Sequence, residues 1–283
     1  MVGNRRSGVS RPGARRGLRW LALGLLQLAP VLALAQPVHT LYWQDDEGPV
    51  RIVLPRASAP VPLILLSPPL LTDERWWASI AAAWAARGYV VVTPRHRDAS
   101  NAPLPNPFAL RHRDLRGERL WQLLWALPER VPAIAARWDG ERLGLLGAGA
   151  GAADMAALAA RLQSAPLPVV AIDRPRLALV LVNPPAVLAA PDVPTLWASD
   201  RRGCRWRCEA RRRAALTPFA GDAPGDAFVL SLSPDLSGGG AIWGRVGGGF
   251  WDAYLKDAPA GLAVFEQDGL GRQTAQRAQA SAR

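Results

Sequence analysis

A mostly parallel β-sheet with helices on both faces and an antiparallel hairpin at its N-terminal end is the fold this sequence predicts. Three observations lead there. Short, almost wholly apolar runs recur along the chain, at Val61 to Leu66, Tyr89 to Thr93, Leu143 to Leu146 and Leu177 to Val182. Such runs are what strands buried on both faces require. Between them lie segments of 10–15 residues with helical periodicity, and that alternation points to crossover units around a parallel sheet. Ahead of them, two β-like runs flank the turn Asp45-Asp46-Glu47-Gly48, which reads as a hairpin.

Taken in order, His39 to Gln44 and Val50 to Leu54 form the hairpin, and Val61 to Leu66 is a central strand. After the loop Ser67-Pro68-Pro69-Leu70-Leu71, Thr72 or Asp73 is placed to cap a helix over Glu74 to Arg87, which Gly88 stops. Trp77, Ile80 and Trp84 share one face of that helix, with Ala81 beside them. The strand Tyr89 to Thr93 precedes a polar, proline-marked loop, Pro94 to Pro107. Leu110 to Leu127 is helical, with Leu120, Trp121, Leu124 and Trp125 grouped; Pro128 and Pro132 break it before a short helix reaching Trp138. Leu143 to Leu146 is a strand that ends in glycines and leads into a helix over Gly151 to Leu162. Leu177 to Val182 and Thr195 to Ala198 continue the sheet, and Phe228 to Leu232 is expected to be its last strand. Phe250 to Leu255 begins a C-terminal helix, and residues 266–283 read as a flexible tail.

Residues 1–35 read as a secretory signal, leaving 36–265 as one domain. Six arginines and no acid precede the apolar run Trp20 to Leu32, and Ala33-Leu34-Ala35 fits a cleavage site. The expected product is periplasmic or secreted and begins near Gln36. Arg15-Arg16 leaves the twin-arginine route open beside general secretion. No later run is long and apolar enough for a membrane span. The formal charge of +11 is partly signal: without those six arginines, 28 basic residues face 23 acidic ones. No basic stripe is interleaved with aromatics, which argues against nucleic-acid binding. The one dense patch is Arg201, Arg202, Arg205, Arg207, Arg211, Arg212 and Arg213. It is a solvated face or, alternatively, a contact surface for an acidic partner or anionic membrane. Within it lie the only cysteines, Cys204 and Cys208. Export favours a loop disulfide between them over free thiols.

The segment Arg142-Leu-Gly-Leu-Leu-Gly-Ala-Gly-Ala-Gly-Ala152 reads as a strand, a sharp glycine turn and an alanine-rich helix. This is the context of the nucleophile elbow, G-x-S-x-G. Val61-Pro-Leu-Ile-Leu-Leu-Ser67, Arg87-Gly-Tyr-Val-Val-Val-Thr-Pro-Arg-His-Arg-Asp98, Asp139-Gly-Glu-Arg-Leu-Gly-Leu-Leu-Gly147 and Phe250-Trp-Asp-Ala-Tyr-Leu255 accompany it in order. In these segments the chain resembles the α/β-hydrolase superfamily, and within it the dienelactone-hydrolase and platelet-activating-factor-acetylhydrolase-like branch.

The resemblance implies a catalytic serine at the centre of Gly147-Ala148-Gly149-Ala150-Gly151, where this chain has Gly149. Glycine carries no nucleophile. The acid is implied at Asp200, after the strand Thr195 to Ala198; otherwise Asp200 is a turn residue. The histidine is implied in the loop Ser233 to Trp243, which contains none. Of the three histidines, His39 lies near the mature N-terminus and His112 at a helix start. His96 occupies a place where the resemblance implies local hydrogen bonding beside Asp98 rather than base catalysis. The oxyanion loop carries Pro68 and Pro69 where His-Gly is usual, so donors are limited to the N–H groups of Leu70 and Ala150. Ser67 is the one local hydroxyl of note, with no base legible for it.

The expected function is therefore an exported, catalytically degenerate homologue. Its former cleft, rimmed by Pro68, Leu70, Gly149, Ala150, Leu236 and Trp243, would bind a small apolar or ester-like ligand. An active carboxylic-ester hydrolase with a non-standard catalytic set is one alternative. A periplasmic interaction module using the arginine-rich surface is the other. Nothing in the sequence calls for a cofactor or a metal.

Overall fold

The computed structural model describes residues 38–56, 58–70, 72, 77–96, 115–164, 175–184, 192–200, 226–232, 240–265 and 274–278. The signal segment, Asp98, His112, the arginine cluster, Cys204, Cys208 and Leu236 lie outside them.

The hairpin forms as the sequence predicts. β1 (His39–Asp45) pairs antiparallel with β2 (Gly48–Leu54). Asp45 closes the turn: its Oδ1 accepts the N–H groups of Glu47 at 2.8 Å and Gly48 at 2.7 Å. Next come β3 (Val61–Ser67), α1 (Ala78–Ala86) and β4 (Val90–Pro94). The residue preceding α1 is Trp77, and no side chain caps it, so the expected cap at Thr72 or Asp73 is not realised. Thr72 Oγ1 instead donates to the Leu70 carbonyl at 3.3 Å. Gly88, at φ +85°, ends the turn after α1 as expected.

α2 (Leu115–Arg130) runs through Pro128, which the sequence reading took as a breaker. Proline removes one donor near the end of the helix. The turn still closes, because the Val131 N–H reaches the Leu127 carbonyl at 2.9 Å and both side chains are buried. A short α3 (Pro132–Ala135) follows, with proline at its first turn. β5 (Trp138–Ala148) begins earlier than the apolar run suggests. Asp139 Oδ1 receives the N–H groups of Glu141 and Arg142, and Gly140 sits at φ +76°. This kink shifts the register against β3 between Val61 and Leu63 and lets Trp138 pair with Val61.

α4 (Ala150–Ser164), β6 (Arg176–Val182), β7 (Thr195–Asp200) and β8 (Ala227–Leu232) complete the alternation. α5 (Gly240–Leu255) starts ten residues before the expected Phe250, and a 3-10 helix, Pro259–Phe265, follows it. β8 is not the last strand: β9 (Thr274–Ala278) pairs antiparallel along its edge.

The nine strands form one mixed sheet in the order β1-β2-β4-β3-β5-β6-β7-β8-β9. β3 through β8 run parallel, while β2 is antiparallel to β4. Alternate side chains feed two cores. One packs Leu63, Leu65, Leu143 and Leu145 under α2 and α4; the other packs Ile64, Leu66, Leu146 and Val180 under α1 and α5. α5 approaches α1 closely because it presents glycine. A Cβ at Gly247 would stand 2.6 Å from the Trp84 ring, which is itself fully buried and edge-on to Trp251. Among the described residues no helix is long and apolar enough to cross a membrane.

Candidate functional site

The strand order reverses direction between β3 and β5. The chain leaves β3 for α1 on one face and leaves β5 for α4 on the other, so their carboxyl ends diverge. In open α/β sheets such a switch point is where a crevice for ligands forms. Ser67 and Gly147 are paired across it, and the Pro68-Pro69 loop and the glycine turn rise from its two sides.

Gly149 sits at φ +55° between β5 and α4, a left-handed conformation that glycine adopts without strain. Its N–H is bound to the Val182 carbonyl at 2.9 Å, and a Cβ added to it would lie 3.7 Å from Pro69 Cβ. Thus Pro69, rather than Pro68, faces the elbow. The flanking glycines are there for contact. A Cβ at Gly147 would collide with the Gly151 carbonyl, and one at Gly151 would collide with the Ser67 carbonyl and come within 2.8 Å of Ser67 Oγ. Ala150 is the first residue of α4, and its N–H is among those a helix leaves unpaired internally. Leu70 lies in the turn closed by the Thr72 N–H on the Pro69 carbonyl.

The remaining expected rim residues do not gather here. Pro68 is buried, with its carbonyl accepting from Arg116 Nη2 at 2.6 Å. Trp243 is part of α5 and belongs to the core under α1 and α5. Asp200 ends β7, paired with Leu232 of β8; its side chain lies outside what the structure describes.

Beneath the turn is a polar cluster that the sequence did not disclose. Ser67 Oγ and His96 Nε2 are 3.0 Å apart, and both residues are buried. The expected local bonding of His96 is replaced by this bond to a residue on another strand. Arg116 Nη2 lies 3.5 Å from Ser67 Oγ, and Arg116 Nε is 3.4 Å from Asp154 Oδ2 on α4. Arg119, one turn along α2, donates to both oxygens of Asp45 at 3.0 and 3.1 Å. Burial, then the guanidinium groups of Arg116 and Arg119, hold His96 well below the ordinary histidine range, so it is neutral at pH 7. Its Nδ1 is buried with no hydrogen-bond partner.

This arrangement is a poor general base. A catalytic imidazole gains a positive charge in the transition state and is steadied by a carboxylate at its far nitrogen. Here the far nitrogen has no carboxylate and two arginines oppose the charge. A signal for the cluster did exist in the sequence: Arg116 and Arg119 fall three and four residues from Leu120 and Leu123, on the apolar stripe of α2.

Other groupings offer less. A cavity of about 250 Å³ lies between the hairpin and α2, lined by Trp43, Asp46, Glu47, Arg119, Gln122 and Arg130. Among the described residues no three His, Cys, Asp or Glu side chains are grouped to hold a metal ion. No family model matches the chain. No curated protein matches it either.

Proposed function

We propose that this chain is an exported, catalytically degenerate member of the α/β-hydrolase superfamily that holds a small apolar or ester-like ligand at the carboxyl ends of β3 and β5. The observation that carries this reading is Gly149 at φ +55° in a sharp turn from β5 into α4. That turn is the strand–turn–helix setting of a nucleophile elbow, with no side chain at its tip. The switch point between β3 and β5 supports a crevice at the same place. The export element rests on the N-terminal arginines, the apolar run and Ala33-Leu34-Ala35.

The test is hydrolysis of p-nitrophenyl acetate and butyrate by the purified protein, together with binding of a non-hydrolysable ester analogue. Binding without turnover is the expected result. Turnover well above background that a serine-directed fluorophosphonate abolishes overturns the degenerate reading.

One contact favours a second reading, an active ester hydrolase built on Ser67 and His96: the 3.0 Å separation of Oγ and Nε2. Full burial of Ser67 and the arginines beside His96 weigh against it. Fluorophosphonate labelling mapped to Ser67 by peptide mass would install this reading in place of the first.

A further inference from the structure

Three arginines are buried among the described residues, and two of them are matched by carboxylates. Arg116 meets Asp154, and Arg119 meets Asp45 and Glu47. Arg51 on β2 is different. It is 8% exposed, its Nε and Nη1 are buried without hydrogen-bond partners, and among the described residues no carboxylate lies within ion-pair distance. An isolated guanidinium in such a place is costly unless a counter-charge joins it.

The sheet register shows what surrounds it. Arg51 is opposite Tyr42 on β1 and Thr93 on β4. Cross-strand partners share a face, and the alternation fixes which face that is. Val53 and Val91 belong to the core under α1 and α5, while Val50, Ile52 and Val92 belong to the other core. Leu41 and Trp43 pack against that other core too, so Tyr42 turns the opposite way and is 60% exposed. A phenol, a guanidinium and a hydroxyl therefore form a row across three strands. The row runs from the uncovered face of edge strand β1 inward to the buried Thr93. Each group can donate a hydrogen bond, and a guanidinium fork matches the paired oxygens of a carboxylate or phosphate.

We propose that Tyr42, Arg51 and Thr93 form a subsite for a ligand bearing an oxyanion, carboxylate or phosphate, which enters over the open face of β1 and is held by Arg51. This site is independent of the Gly149 crevice and of any esterase chemistry. The anion neutralises Arg51, Tyr42 bounds the entrance, and Thr93 lies at the inner end of the row.

The experiment follows the melting temperature and binding heat of the full chain. Sodium phosphate and sodium acetate are titrated separately against sodium chloride at equal ionic strength. A saturable response to at least one of the two is expected. Response to phosphate alone assigns a phosphate-bearing ligand, and response to acetate alone a carboxylate. Arg51→Met should weaken binding about tenfold or more, the scale of losing a charged hydrogen bond, and should melt no lower than the wild type in chloride. Arg51→Lys, which keeps the charge and loses the fork, carries the test if Arg51→Met does not fold. A wild type that cannot distinguish phosphate and acetate from chloride overturns the proposal. So does an undiminished response in the folded Arg51 variant.

Discussion

The layer beneath α2 and α4 buries Arg116, Arg119, His96 and Ser67 among its leucines, whereas the layer beneath α1 and α5 is held by rings. In the second, Trp84 stands edge-on to Trp251 at 5.9 Å, Trp251 contacts Phe250, and Phe250 contacts Phe228. Aromatic packing of this kind is tolerant of pH and salt and intolerant of changes in volume. The polar layer has the reverse sensitivity. Its stability depends on each buried charge keeping its partner. The difference follows position: the polar cluster lies at the carboxyl ends of β3 and β4, next to the switch point, while the ring cluster fills the opposite face.

Four experiments break or sharpen this contrast. The largest effect is expected from Trp84→Ala, which empties a fully buried indole volume beside Gly247. A loss of about 3–5 kcal/mol in urea unfolding is expected. A loss below about 1 kcal/mol would mean that α1 and α5 are not braced through this ring.

Next is Asp154→Ala. It leaves Arg116 buried without the carboxylate 3.4 Å from its Nε, and about 3 kcal/mol should be lost. The double variant Arg116→Met/Asp154→Ala should recover much of that loss, because the orphaned charge leaves with the arginine. Equal instability of the single and double variants would show that volume, not charge, governs this layer.

Third is the response to acid. His96 is held below its ordinary range when folded, so the unfolded chain takes up the proton first as pH falls. Its contribution is complete above about pH 6.5 and shrinks by up to about 1.4 kcal/mol per pH unit below that. Denaturant midpoints at pH 7, 6 and 5 should reveal this slope, and His96→Gln should flatten it. A slope that persists unchanged in His96→Gln would assign the acid sensitivity elsewhere.

Smallest is Gly149→Ser. A side chain at φ +55° costs about 1 kcal/mol, while Pro69 at 3.7 Å leaves room for the Cβ. The variant should fold and should not hydrolyse p-nitrophenyl esters, since a serine without a base remains a weak nucleophile. Ester turnover by this single variant would identify His96 as a usable base, and His96→Gln in the same background would then abolish it.

Much of the architecture was legible in the chain itself. The apolar runs, the Asp45–Gly48 turn, the Gly88 stop and the glycine turn after β5 all appear where the sequence places them, because each depends on local chemistry. A strand buried on both faces has to be apolar, and a left-handed turn favours glycine. The boundaries that moved have local causes too weak to read ahead. Pro128 is carried inside α2 by the buried Leu127 and Val131, and the Asp139-Gly140 kink starts β5 early. α5 is extended by Gly240 to Gly249, a stretch of low helix propensity that packing against α1 stabilises.

The candidate site divides in the same way. Sequence alone marked Gly149 as a turn without a nucleophile and found no histidine after His112. Only the tertiary structure could bring Ser67 to His96, Arg116 to Asp154, and Tyr42, Arg51 and Thr93 into one row. Those contacts join residues on different elements, and strand order and register decide which side chains share a face. Sequence spacing carries the periodicity of each element; which elements become neighbours is settled when the sheet closes around two separate cores.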